Sequence, residues 1–195
     1  MIDIGTGDGL YVYQSARRNP ASYYIGVDAN ARALEKISEK IYRKASKGGL
    51  PNALFIQAPV EDLPAELNGI ASEMRVHFPW GSLLRAVAVG ETASLEPLRR
   101  VCSPGALLTV IIGVDPDRDF AEVSRLGLPP LSLAYVDSTL APRYAKSGFR
   151  VIDRGVIPAA EWPRLQTTWA RRLRGDRGRS VLFLLARAVE SEVDQ

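Results

Sequence analysis

Ile2-Asp3-Ile4-Gly5-Thr6-Gly7-Asp8-Gly9-Leu10 is the stretch that decides the fold. Residues 2–4 are apolar around one acid and run directly into a glycine-rich turn. Glycine adopts backbone conformations closed to other residues, so the chain can turn sharply here and bring its backbone close to a ligand. An apolar run followed by such a turn and then by helical periodicity over residues 10–18 predicts a strand–turn–helix unit.

Outward from this unit the pattern repeats. Residues 23–27 predict a second strand ended by Asp28, and residues 30–47 carry helical periodicity with the stop signal Lys47-Gly48-Gly49 and then Pro51. Strands are expected at 53–57, at 74–78 ended by Pro79, and at 107–114. Helices are expected at 95–102 and 138–147. Two late strands, 149–156 and 180–188, flank a helix expected around 162–173. Residues 115–137 carry three prolines and read as an ordered insertion with a short helix near 120–125. Strands alternating with helices specify an α/β fold with a mainly parallel sheet. The whole chain, 1–195, fits one domain with one core.

The carboxyl end of such a sheet is where ligands bind. Asp3, Gly5, Gly7 and Gly9 form D-x-G-x-G-x-G at the end of the first strand. A dinucleotide site prefers G-x-G-x-x-G, whose third glycine would fall at position 10, where this chain has Leu10. The tighter variant suits S-adenosylmethionine, which has no phosphate. Asp3 can hold the ammonium of its methionine part, and Asp28 can accept hydrogen bonds from both ribose hydroxyls. Ala58 (through its backbone) and Glu61 follow the third strand, beside the expected adenine. The ordinary alternatives are a tight turn with no ligand and, for Asp28, a helix N-cap, a role compatible with ribose binding.

Composition narrows the class. The chain has 195 residues, 46% hydrophobic and 24% charged, with net charge +3. These values describe a globular protein. No apolar run is long enough to span a bilayer, and residues 1–9 do not resemble a secretory signal. One cysteine, Cys102, fits a reducing compartment, so a cytoplasmic monomer without a metal is expected. Lys36, Lys40, Arg43, Lys44 and Lys47 fall on one stripe of the 30–47 helix, opposite Leu34, Ile37, Ile41 and Ala45. A second cluster comprises Arg171, Arg172, Arg174, Arg177 and Arg179. Single clusters are usually solvated faces, but two suggest a polyanionic partner.

Two segments complete the pattern: Phe78-Pro79-Trp80-Gly81-Ser82-Leu83-Leu84-Arg85, after the fourth strand, and Thr167-Thr168-Trp169-Ala170-Arg171-Arg172-Leu173. A tryptophan on a Pro-Trp-Gly loop is poorly placed for core packing and well placed to stack on a base. Together with Gly5–Gly9, Ser46-Lys47-Gly48-Gly49-Leu50-Pro51-Asn52, residues 127–135 and Ser147-Gly148-Phe149-Arg150, these segments resemble, in the same order, the 16S rRNA adenine-1408 N1-methyltransferases of aminoglycoside resistance. The resemblance covers nearly the whole chain.

The resemblance implies a class I methyltransferase fold: a Rossmann-like, seven-stranded sheet with an antiparallel last strand. It implies S-adenosylmethionine as cofactor and 16S rRNA in the 30S subunit as partner. Trp80 and Trp169 match the tryptophans that sandwich the flipped adenine, and Thr167 matches a polar residue near cofactor and target. Arg172, Arg177 and Arg179 match basic residues that grip RNA around the flipped nucleotide, and Lys40, Arg43, Lys44 and Lys47 match a docking face. The family carries an N-terminal extension with a β-hairpin, whereas this sequence begins within the first strand. His77, Cys102 and Trp162 are expected to be structural. The rival readings are a tRNA guanine-N7 methyltransferase and a non-catalytic RNA-binding protein. A nicotinamide oxidoreductase fits less well because of Leu10 and the basic clusters.

Overall fold

The computed structural model describes residues 1–157 and 180–189. Seven strands form one sheet: β1 (Ile2–Ile4), β2 (Tyr24–Asp28), β3 (Ala53–Gln57), β4 (Ala71–His77), β5 (Cys102–Ile112), β6 (Phe149–Ile157) and β7 (Val181–Ala188). Their spatial order is β3-β2-β1-β4-β5-β7-β6. The pairs among β1 to β5 are parallel, while β7 runs antiparallel to both β5 and β6. This is the expected α/β architecture with an antiparallel final strand.

The chain winds from β1 outward to β3 and then crosses back to place β4 on the other side of β1. The order therefore reverses at β1, and a crevice opens outside the carboxyl ends of β1 and β4. Helix α1 (Leu10–Arg18) and α2 (Ala31–Ile41) cover the β1–β3 half. The other helices are α3 (Gly81–Val89), α4 (Thr92–Val101), α5 (Phe120–Leu126), α6 (Leu133–Tyr135) and α7 (Ala141–Lys146), with a π-helical turn at Val136–Leu140 between the last two. The central strands are apolar on both faces, as a sheet covered by helices requires. Met74, Val76, Leu108, Val110 and Leu184 are essentially inaccessible and pack with Leu84, Val87, Leu95 and Leu98. Cys102 lies within this core, and burial pushes its thiol up to about 11, so it is inert.

Three local expectations are corrected. The 30–47 helix stops at Ile41, because the Leu50 N–H bonds the Ile41 carbonyl at 2.9 Å, the group that the next helical turn would use. Gly49 makes this return possible, since a Cβ there would lie 1.7 Å from the Arg43 carbonyl oxygen. Arg43, Lys44 and Lys47 therefore sit on the turn after α2, including a short 3-10 segment at Ala45–Lys47, and Ala45 is exposed rather than on the apolar face. Second, the Pro-Trp-Gly segment leads directly into α3, which periodicity had not shown. Third, β5 starts at Cys102, where a helix end was expected. The helix expected around 162–173 lies outside the described residues. Among those described, no helix is long and apolar enough to cross a membrane.

Candidate active site

Gly5, Gly7 and Gly9 all have positive φ, 71°, 59° and 67°. Two of them also pack against side chains. A Cβ on Gly9 would lie 2.4 Å from the Phe55 ring, and one on Gly5 would lie 2.5 Å from Leu83. The turn thus packs between Phe55 of β3 and Leu83 of α3. The Gly7 N–H donates to Asp28 Oδ2 at 2.7 Å, and the Asn30 N–H donates to Asp28 Oδ1 at 2.8 Å. Asp28 is therefore fixed by backbone on both oxygens, each of which keeps a free lone pair for a hydroxyl. The N-cap of α2 is Asn30, whose side chain accepts from the Arg32 N–H, so the capping role considered for Asp28 belongs to Asn30.

Asp3 is 3% exposed. Its Oδ2 accepts the Thr6 hydroxyl at 2.7 Å, while its Oδ1 is buried without a hydrogen-bond partner. Arg75 is its register neighbour on β4, but the Arg75 guanidinium pairs with Glu73 and lies over the Tyr11 ring at 5.3 Å. Burial pushes the Asp3 carboxyl up to about 7, against the opposing pull of the Thr6 hydroxyl and the Arg75 charge. A buried, half-satisfied carboxylate at the bottom of a cleft is costly unless a cation or donor comes to it. The ammonium of S-adenosylmethionine meets that need, so the residues fit this cofactor.

The cleft itself has a volume of about 390 Å³ and brings Asp3, Gly5, Gly7, Asp28, Ala58 and Glu61 together with Trp80. Gly9 caps α1 at its edge. The Ala58 N–H already bonds the Asp28 carbonyl at 3.1 Å, which leaves its carbonyl and methyl for a ligand. Glu61 is exposed at the rim, with the Ser94 hydroxyl 3.4 Å from Oε1. His77 also lines the cleft, edge-on to Tyr11 with ring centroids 5.0 Å apart. Burial drives its imidazole down to about 3, so it stays neutral and carries no charge into catalysis.

Trp80 is 45% exposed at the cleft mouth, immediately before α3. It follows Phe78, which has φ of 50°, rare for a bulky side chain. Such strain persists only where the surroundings over-determine it. Here the Phe78 N–H bonds the Ile111 carbonyl at 2.8 Å, and the Phe78 side chain is buried. One contact had no sequence signal: Glu122 of α5, 41 residues away, accepts the Gly81 N–H at 3.2 Å. Trp169, Thr167, Arg172, Arg177 and Arg179 lie outside the described residues.

The basic segment lies elsewhere. Helix α2 leaves the carboxyl end of β2 and returns to the amino end of β3, so its last turn and the cations after it lie toward the amino ends of the strands, away from the cleft at their carboxyl ends. Lys40 Nζ lies 4.0 Å over the Tyr13 ring, and Arg43 reaches Glu39 at 4.0 Å. Lys44 and Lys47 are exposed. An 11-residue helix is about 16 Å long, so a partner touching both places must be a macromolecule.

A family model described as "NpmA: 16S rRNA (adenine(1408)-N(1))-methyltransferase" matches residues 1–188. The chain belongs to this family. A 16S rRNA (adenine(1408)-N(1))-methyltransferase of Streptoalloteichus tenebrarius is 40% identical over 186 residues, 95% of this chain and 85% of that protein. The aminoglycoside resistance methyltransferase NpmB1 has a crystal structure that superposes with a TM-score of 0.84 at 45% identity, over 96% of this chain and 86% of that one. The W203A mutant of the enzyme from Catenulisporales acidiphilia, solved with cosubstrate SAM, matches with a TM-score of 0.89 at 35% identity, over 100% and 87%. These matches carry the class I methyltransferase assignment: the chain is an S-adenosylmethionine-dependent methyltransferase by family and by fold.

Proposed function

We propose that this methyltransferase modifies N1 of adenine-1408 in 16S rRNA of the 30S subunit and thereby gives aminoglycoside resistance. The observation that carries the reading is the half-exposed Trp80 ring at the mouth of the same cleft that holds Asp3 and Asp28. Adenine N1 lies on the pairing edge of the base, so the base must leave the helix, at a cost of a few kcal/mol. Stacking on an aromatic face returns about 1–3 kcal/mol per base. Trp80 supplies one face, and Trp169 is assigned the other, with Thr167 beside them.

S-adenosylmethionine, when bound, supplies an electrophilic methyl on a sulfonium. Asp3 would hold the ammonium, Asp28 the ribose hydroxyls, and Ala58 with Glu61 the adenine side. The N1 lone pair of adenine is nucleophilic as it stands, so the protein needs no general base, and the His77 imidazole, which burial makes a weak base, would be a poor one. What remains is positioning and an aromatic face for a base that becomes cationic as it is methylated. Lys40, Arg43, Lys44 and Lys47 are assigned to rRNA phosphates, which position without reading sequence. Arg172, Arg177 and Arg179 are assigned to the backbone near the flipped nucleotide. The reading takes the protein as a single-domain monomer acting in the cytoplasm, with residues 115–137 as an insertion that belongs to the domain.

Primer extension on 16S rRNA tests the reading, after 30S subunits are incubated with the protein and S-adenosylmethionine. A new stop at adenine-1408 is the expected result. Methyl transfer to tRNA with none to 30S subunits would replace this reading with the guanine-N7 one. Calorimetry that found no S-adenosylmethionine binding would favour the non-catalytic alternative.

A further inference from the structure

Helix α5 lies in the 115–137 insertion, which the proposed function leaves without a task. Its side chains and those of α3 cap each other in both directions. Glu122 accepts the N–H of Gly81, the first residue of α3. Arg85 of α3 donates to the carbonyl of Leu126, the last residue of α5. Each helix thereby satisfies a terminal backbone group of the other that its own hydrogen bonds leave open.

The Glu122 carboxylate is itself aimed. Arg125 grips both of its oxygens, Nε to Oε2 at 2.8 Å and a terminal nitrogen to Oε1 at 2.8 Å. The Glu122 side chain is 12% exposed, whereas that of Arg125 is 61% exposed. A helix N-terminus favours a negative charge, and α3 has no side-chain cap of its own at Trp80. The four residues 78–81 also contain two left-handed conformations, Phe78 at φ 50° and Gly81 at φ 60°. On the sheet side the Phe78–Ile111 bond holds this segment. Beyond Trp80, Glu122 supplies the hold from outside.

We infer that Glu122 is a positioning residue for Trp80: through the Gly81 N–H it sets the direction of the backbone that carries the indole, and so makes α5 part of the target-base site. Glu122 touches neither cofactor nor base. It acts on catalysis by limiting how far the Trp80 ring can swing, so its effect falls on turnover of the bound 30S subunit and spares the cofactor half of the cleft. The inference rests on the proposed reading of Trp80 as the stacking residue.

The test compares Glu122→Ala with Glu122→Gln, which keeps an oxygen for the Gly81 N–H. With 30S subunits as substrate, Glu122→Ala is expected to lower kcat about tenfold or more. The Kd for S-adenosylmethionine should stay within twofold and the 30S KM within threefold. Glu122→Gln should restore most of kcat. A substrate-free readout uses protein whose other tryptophans are replaced (Trp162→Phe, Trp169→Phe). There, Glu122→Ala should raise acrylamide quenching of Trp80 about twofold, and Glu122→Gln should not. Wild-type kcat and quenching in Glu122→Ala would overturn the inference. So would a loss of cofactor binding equal to the loss of kcat, which marks a merely structural role, or a Glu122→Gln as impaired as Glu122→Ala. If the wild-type protein leaves 30S subunits unmethylated, the functional reading fails on that ground, and the quenching comparison still decides whether Glu122 holds Trp80.

Discussion

The two ends of the cleft are built differently. The end at the glycine turn is local and backbone-made: Asp3, the glycine turn and Asp28 lie within the first 28 residues, and Asp28 is held by two main-chain N–H groups. The end at Trp80 is assembled from afar. Trp80 stands on a strained segment that is held by Ile111 of β5 on one side and by Glu122 of α5 on the other. The first end has little freedom to vary, because each glycine there holds a left-handed φ that other residues rarely adopt. The second depends on side chains, so a substitution can loosen it while the core stays intact.

That contrast can be broken most sharply at Trp80. Replacing it with alanine removes a stacking face worth about 1–3 kcal/mol, so kcat/KM for 30S subunits should fall up to about a hundredfold. The Kd for S-adenosylmethionine, measured by calorimetry, should hardly change. A parallel loss of cofactor affinity would show that the two ends are one unit. Asp28→Ala is the converse: hydrogen bonds to a charged group contribute about 1.5–3 kcal/mol, so cofactor affinity should drop about tenfold to a hundredfold.

Asp3 sharpens the comparison through pH. Burial raises its carboxyl from 3.8 to about 7, so the folded protein keeps a proton that the unfolded chain has released. Stability from this group is therefore greatest below about pH 4, declines as pH rises from about 4 to 7, and is level above that. An ammonium ligand prefers the ionised carboxylate. Affinity for S-adenosylmethionine should thus rise between pH 5 and 7, by at most about tenfold per unit, and then flatten. Asp3→Asn should weaken binding about tenfold at pH 8 and remove the rise; titrations across this range check both. The smallest effect is expected away from the cleft. Lys44→Ala with Lys47→Ala should reduce the slope of log affinity for 30S subunits against log salt by about 1–2, with kcat at saturation unchanged.

Much of this was legible because the signals are local. A glycine triplet with positive φ, an acid ending β2 and the alternation of strands and helices each announce themselves within a few residues. The end of α2 was not legible. Its periodicity continues past Ile41, but Leu50 folds back to take the Ile41 carbonyl, a pairing that no window along the chain displays. The basic stripe therefore became a helix end and a turn. Glu122 was equally silent, since an acid in a short surface helix normally has nothing to announce.

By itself the sequence determined the alternating architecture and, through its ordered motifs, the family and its S-adenosylmethionine cofactor. Tertiary structure alone decided that Asp3 keeps an oxygen without a hydrogen-bond partner, that Glu122 of α5 reaches the Gly81 N–H beside Trp80, and that the lysines after α2 stand toward the amino ends of the strands, away from the cleft. The physical reason is range. Backbone preferences and hydrophobic period act over a few neighbours, whereas desolvation and hydrogen bonding between distant segments exist only once the sheet has brought those segments together.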